Sequence, residues 1–123
     1  YNDLIEDISS FFKKKIKIAL NAGIDKKHII LDPGIGFGKT IDNNFQIINQ
    51  LNVFCKLGFP VMIGPSRKAF IGATLNLPVH DRLEGTAATV AVGIMNGARI
   101  VRIHDVKEIK RVVSIVEKIR TVV

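Results

Sequence analysis

Chemistry-bearing residues gather in three short stretches. The first is Asp32-Pro33-Gly34-Ile35-Gly36-Phe37-Gly38-Lys39-Thr40. Its alternating glycines let backbone come close to a ligand, Phe37 offers a flat stacking face, and Asp32 supplies a carboxylate. The ending Gly38-Lys39-Thr40 looks like the end of a phosphate-binding P-loop, but that motif requires a glycine where Pro33 stands. By itself the stretch reads as readily as a glycine-rich turn with an Asp cap.

The second stretch is Gly64-Pro65-Ser66-Arg67-Lys68-Ala69-Phe70-Ile71-Gly72. Two adjacent cations beside a small hydroxyl suit an anionic or electron-rich ligand, Arg67 as a planar fork and Lys68 as a mobile point charge. Solvated surface charge is the competing reading. The third stretch places Arg102 and His104 two residues apart, so that on a strand they share one face while Val101 and Ile103 share the other. A guanidinium and an imidazole together make a phosphate clamp, which protonation of His104 would reinforce. Asp105 reads as a helix cap, His28 and His80 as surface or loop histidines, and Cys55 as a packing residue. No His, Cys and carboxylate spacing marks a metal site.

These stretches need elements to hold them. Apolar positions from Leu4 to Leu20 recur at helical spacing, with Asn2 or Asp3 able to cap the start and Gly23 to stop it. His28 to Leu31 reads as a buried strand, Asn43 to Leu57 as a helix ended by Gly58, and Phe59 to Ile63 as a second strand. After a long loop, Asp81 with Glu84 predicts a capping box for a helix to about Asn96, stopped by Gly97. Arg99 to Ile103 is the third strand. Asp105 with Glu108 predicts another capping box, for a last helix whose Ile109, Val112, Val113, Val116 and Ile119 share a face. Four helices thus alternate with three parallel strands, an α/β order in which every unusual stretch follows a strand's C-terminal end, where such folds place their sites.

The sequence has 123 residues, 47% of them hydrophobic and 24% charged, the profile of a globular chain rather than a disordered or fibrous one. No apolar run approaches the ~18 residues of a membrane span, so no membrane partner is expected. A single cysteine rules out an internal disulfide and fits the cytoplasm. The net charge of +7 admits nucleic acid, an anionic membrane or phosphorylated small molecules as partners. Lysines 13, 14, 15, 17, 26 and 27 read as the solvated face of the first helix; with only Tyr1, Phe11 and Phe12 as nearby aromatics and no recognised motif, nucleic acid is not expected. Three parallel strands cannot close a barrel, and a (β/α)8 barrel takes about 250 residues. With Tyr1 in place of an initiating Met, residues 1–123 are expected to be the C-terminal half of such a barrel, with a flavodoxin-like open sheet as the other candidate.

Four segments in order, Ile30 to Lys39, Gly64 to Lys68 with Phe70-Ile71-Gly72, Arg82-Leu83-Glu84-Gly85-Thr86-Ala87, and Val101 to Val106, resemble the dihydropteroate synthases, folate-pathway transferases of the pterin-binding barrel family. The resemblance implies that the three strands are the sixth, seventh and eighth of a (β/α)8 TIM barrel. Barrel enzymes often bind phosphate in the loops after strands seven and eight, where the second and third stretches then lie. It implies the family's reaction, condensation of 6-hydroxymethyl-7,8-dihydropterin diphosphate with 4-aminobenzoate to 7,8-dihydropteroate and pyrophosphate, with sulfonamides competing for the aminobenzoate place.

On this resemblance Asp32 binds the pterin, Lys68 lies along it near the reacting centre, Phe37 with the Gly36 and Ser66 backbone shapes the aminobenzoate pocket, Arg102 and His104 hold the diphosphate, and Gly64 and Arg67 are further substrate-binding residues. Lys68, Arg102 and His104 are the catalytic group. Mg²⁺, its ligand and the rest of the site are expected in the N-terminal half, leaving this portion inactive alone, and a homodimer through C-terminal helices is expected as well. Other readings are a pterin-binding methyltransferase domain, which has no use for a diphosphate clamp, and a non-catalytic phospholigand-binding barrel.

Overall fold

The structure, a computed structural model, describes residues 3–123. The expectations for Tyr1 and Asn2 lie outside the described residues. Asp3 caps the first helix: its carboxylate accepts the Glu6 N–H at 3.0 Å. Helix α1 (Leu4–Asn21) follows, burying Leu4, Ile5 and Phe12. Gly23, at φ +90°, reverses the chain.

The first expected strand is reduced to one residue. Asp25 caps a 3₁₀ turn over Lys26–His28, and the His28 N–H closes that turn on the Asp25 carbonyl. Backbone groups used in a turn cannot also pair sideways, so only Leu31 joins the sheet, bridging Val61 in parallel. Its N–H donates to the Pro60 carbonyl, and its own carbonyl accepts the Met62 N–H, both at 2.8 Å. Strand β1 (Met62–Ile63) pairs in parallel with β2 (Ile100–Val101), Met62 opposite Ile100 and Ile63 opposite Val101. Both are shorter than the predicted runs, although single ladder bonds flank them, the Arg99 N–H to the Val61 carbonyl and the Arg102 N–H to the Ile63 carbonyl, both at 2.9 Å. The order Leu31, β1, β2 is that of the three expected strands.

The helices differ from expectation in three places. The helix expected over Asn43 to Leu57 starts earlier, where Thr40 and Asn43 form a reciprocal capping box, and is broken at Gln50 into α2 (Ile41–Asn49) and α3 (Leu51–Cys55). The break has a cause: the Asn96 side-chain amide takes the Ile48 and Asn49 carbonyls at 2.8 and 3.3 Å, acceptors that a continuous helix would use itself. The long loop after β1 holds a further helix, α4 (Ala69–Leu75), closed by Asn76 at φ +56°. Neither predicted Asp/Glu capping box forms. Helix α5 (Leu83–Met95) starts at Arg82, while Asp81 sits outside it in a turn. Asp105 precedes α6 (Val106–Thr121) but its side chain does not cap it.

Two apolar clusters hold these elements. In the first, Phe12 of α1 meets Phe54 of α3 edge to face at 5.5 Å, above Ile47, Leu51, Val61 and Ile63. In the second, Val90 and Ile94 of α5 face Ile109 and Val116 of α6. Val101 packs against both. Ile119, expected on the inward face of the last helix, is instead exposed. Close approach is obligatory at Gly93, where a Cβ would strike Ile63 of β1, and at Gly85, where it would strike Ile71.

Phe54 is fully buried and Phe11 more than half exposed. Phe54→Ala is therefore expected to lower unfolding free energy by about 3–5 kcal/mol, and Phe11→Ala by no more than about 0.5 kcal/mol, as measured by urea titration of the protein carrying this sequence. Equal losses would show that the α1–α3 contact is not the core.

Candidate functional site

The three stretches converge. A cleft of about 450 Å³ at the C-terminal end of the strands is lined by Asp32 and Phe37 from the first loop, Gly64, Ser66 and Lys68 from the second, and Arg102 and His104 from the third, with Ile35, Met62 and Ile103 as apolar wall. The first loop can follow its path because Gly34, Gly36 and Gly38 sit at φ +73°, +87° and +62°, a region that disfavours side chains. Two side chains fix it from within. Lys39 Nζ donates to the Gly34 and Phe37 carbonyls at 2.9 and 3.0 Å, and burial pulls the Lys39 pKa below the usual lysine range, opposed by nearby Asp32. Buried Asn44 accepts the Gly36 N–H at 2.7 Å and donates to the Thr40 carbonyl at 2.9 Å. One Asp32 oxygen accepts the Gly34 N–H at 2.9 Å.

Gly36 also clears a track for Lys68: a Cβ at Gly36 would lie 2.9 Å from Lys68 Cδ. The Lys68 ammonium is carried to 4.2 Å from the centre of the Phe37 ring, a cation–π contact that fixes both. Gly64 lies beside Arg102 without such a demand, since a Cβ there would stand 3.8 Å from the Arg102 Cβ, an ordinary contact.

The second and third loops are tied together. Ser66, buried, accepts the His104 N–H at 3.0 Å and lies 2.8 Å from His104 Nδ1. A hydroxyl that accepts one hydrogen bond still has its own proton to give, so Ser66 can donate to Nδ1, which in the neutral imidazole leaves the ring proton on Nε2. Beside it, Arg67 grips Asp105 through two contacts, Nε to Oδ2 at 3.2 Å and Nη2 to Oδ1 at 2.7 Å. That fork holds the Asp105 carboxyl below the usual carboxylate range and raises the Arg67 guanidinium further.

Asp32, Phe37, Gly64, Ser66, Lys68, Arg102 and His104 thus meet as the sequence suggests, with Gly36 as a floor under Lys68. Arg67 departs from expectation: it does not line the cleft, and its guanidinium is engaged by Asp105. Asp105 departs too, as an ion-pair partner rather than a helix cap. Residues the sequence reading passed over are Asn44, Lys39 as a strut, and Arg82 with Thr86, which hold the Arg67 backbone. The signal for Asn44 was its place one residue beyond the Thr40–Asn43 box; Arg82 and Thr86 stand in one of the four resembling segments, but at 15 and 19 residues from Arg67 their spacing does not tie them to its backbone. Among the described residues no group of three His, Cys, Asp or Glu side chains could hold a metal ion, and no helix is long and apolar enough to cross a membrane.

The chain that builds this cleft is similar in sequence and fold to known proteins. Residues 1–104 match the family model described as pterin binding enzyme. The dihydropteroate synthase of Bacillus subtilis is 51% identical over 117 residues, covering 95% of this chain and 41% of that protein. That of Escherichia coli is 38% identical, again over 95% of this chain, and 42% of its own length. The chain therefore spans about two fifths of the curated relatives it matches. Among solved structures, Yersinia pestis dihydropteroate synthase with a pterine-sulfa conjugate superposes at TM-score 0.96 and 40% identity, over 99% of this chain and 48% of that one. The Coxiella burnetii enzyme with pteroic acid does so at 0.93 and 37%, over 95% and 45%. Shared sequence, an α/β fold common to these structures and a cleft built from the matching segments lead to one conclusion: the chain belongs to the pterin-binding enzyme family.

Proposed function

We propose that the protein carrying this chain is a dihydropteroate synthase, joining 6-hydroxymethyl-7,8-dihydropterin diphosphate to 4-aminobenzoate. The observation that carries this reading is the convergence of Asp32, Lys68, Arg102 and His104 on one cleft. On this reading residues 1–123 are the C-terminal half of a (β/α)8 barrel, and the remaining strands complete both barrel and cleft. Relatives solved with a pterine-sulfa conjugate and with pteroic acid support the choice of ligands.

The chain's own groups divide the work. Asp32, with one oxygen held by the Gly34 N–H, turns its remaining acceptor capacity to the N–H donors of the pterin. Phe37 and the Lys68 stem flank the reacting rings. Arg102 and His104, two residues apart just beyond β2, hold the diphosphate. In the reaction the aryl amine nitrogen bonds to the pterin methylene carbon as that carbon's bond to diphosphate oxygen breaks. The electron pair leaves with pyrophosphate, and the amine gives up one proton to solvent. Negative charge grows on the departing oxygen, where fixed cations act most strongly. The amine is neutral near pH 7 and needs no strong base, and no covalent enzyme intermediate is required.

The same reading includes Mg²⁺ held by the rest of the protein. The described residues do not fit it, since they bring no carboxylate cluster together, and no step above runs through it. A cytoplasmic location, in keeping with a lone cysteine, and a homodimer through the last helices, in keeping with exposed Ile115 and Ile119, complete the reading.

Pyrophosphate release by the full-length protein from the two substrates is the direct test. Arg102→Ala and His104→Ala are each expected to lower turnover by about 10²–10³-fold; unchanged turnover would remove the clamp assignment, whereas no pyrophosphate release by the unsubstituted protein would remove the synthase reading and favour a pterin-binding methyltransferase. Lys68→Ala should weaken pterin and aminobenzoate binding together in calorimetry, whereas normal affinity for both would make Lys68 a structural residue.

A further inference from the structure

We propose that Arg67 and Asp105 form a positioning pair for the cleft: their two-pronged contact fixes the turn that carries Lys68 and the segment that carries His104, and neither meets substrate. The kinetic part of this inference rests on the function proposed above.

Four observations converge on it. First, Arg67 sits at φ +57°, a left-handed conformation that a side chain disfavours. It is held there on every side: its N–H donates to Thr86 Oγ1 at 3.1 Å, its carbonyl accepts Arg82 Nη1 at 2.9 Å, and its guanidinium grips Asp105. Thr86 is fully buried, and Arg82 is itself braced, donating from Nε to the Leu77 carbonyl and lying so close over Gly72 that a Cβ there would collide with it.

Secondly, the neighbours of Arg67 on both sides, Ser66 and Lys68, line the cleft while Arg67 does not. Reversal of the backbone at Arg67 is what turns Lys68 toward Phe37. Thirdly, Asp105 stands at the start of α6, where a carboxylate ordinarily accepts a backbone N–H, and makes no such bond. Its oxygens are given to Arg67 instead. Fourthly, Ser66 to His104 and Arg67 to Asp105 are both separations of 38 residues, the register of β1 with β2. The pair is thus the outermost rung of the strand pairing, placed where it locks both loops.

Three roles make different predictions for the full-length enzyme. If the pair positions, Arg67→Ala and Asp105→Ala each reduce kcat/KM per folded molecule about 10–100-fold, and the double variant is no worse than either, because each single change already removes the same contact. Arg67→Lys, which keeps the charge but loses the fork, recovers little. If Arg67 instead binds the anionic substrate, Asp105→Ala is mild, Arg67→Ala severe and Arg67→Lys largely active, and the proposal fails. If the pair only stabilises the fold, melting temperature falls while kcat/KM of the folded fraction holds, and it fails again. Breaking the Arg120–Glu117 pair on α6, a similar 2.9 Å contact away from the cleft, serves as the control and should leave kcat/KM unchanged.

A spectroscopic arm keeps the inference separate from the reaction. With its ammonium over the Phe37 ring, the Lys68 ε-methylene should show an upfield-shifted proton resonance in selectively labelled protein. Asp105→Asn and Arg67→Lys, the variants least disruptive to folding, should move that resonance toward the ordinary lysine position. An unmoved resonance overturns the proposal whatever the enzyme does. A moved resonance in a protein without synthase activity supports the positioning pair and defeats only the functional reading.

Discussion

The parallel register of β1 and β2 governs the cleft. Met62 lies opposite Ile100 and Ile63 opposite Val101, and the same alignment runs on past the strands: Gly64 beside Arg102, Ser66 hydrogen-bonded to His104, Arg67 paired with Asp105. Main-chain pairing ends where the Arg102 N–H meets the Ile63 carbonyl, and side chains then continue it. A shift of one residue would set every rung against the wrong partner and turn the core-facing residues outward. The apolar demand for burying Val61 and Ile63 therefore also decides which polar groups meet above them.

Within that frame, two adjacent cations are held by different means. Arg67 is satisfied by a carboxylate and turned from the cleft; Lys68 is steadied by a ring face and a glycine floor, which leave its ammonium donors free. The glycine-rich loop is braced despite its composition, because Lys39 and Asn44 bond its backbone from inside. The surfaces that would face a ligand are thus backed by bonds that a ligand need not supply, which lowers the ordering cost of binding.

Much of this was legible in the sequence. The alternating glycines, the Ser66-Arg67-Lys68 run and the Arg102/His104 spacing named seven of the ten lining residues, since each stretch follows a strand and the chemistry is local. What escaped depended on distant partners. The break at Gln50 is made by Asn96, and the fate of both Arg67 and Asp105 is settled by each other. Asp105 followed by Glu108 has the local pattern of a cap, and a stronger long-range partner won the carboxylate. The first strand failed for a local reason that the apolar run concealed, the Asp25-capped turn. Helix α4 was hidden by its brevity and by Gly72, whose place in it is required by Arg82 rather than by helix propensity.

The rungs above β1 and β2 bear on how the chain acquires its cleft. Bringing residues 38 apart together has an entropic cost of loop closure that is met once, when the strands pair; the Ser66–His104 and Arg67–Asp105 contacts then add only side-chain ordering. Those two contacts and the turn that carries Lys68 consequently form with the strand pair and dissolve with it. With β1 and β2 apart, Lys68, Arg102 and His104 would be three unrelated side chains, so their convergence on one cleft arises together with the strand pairing.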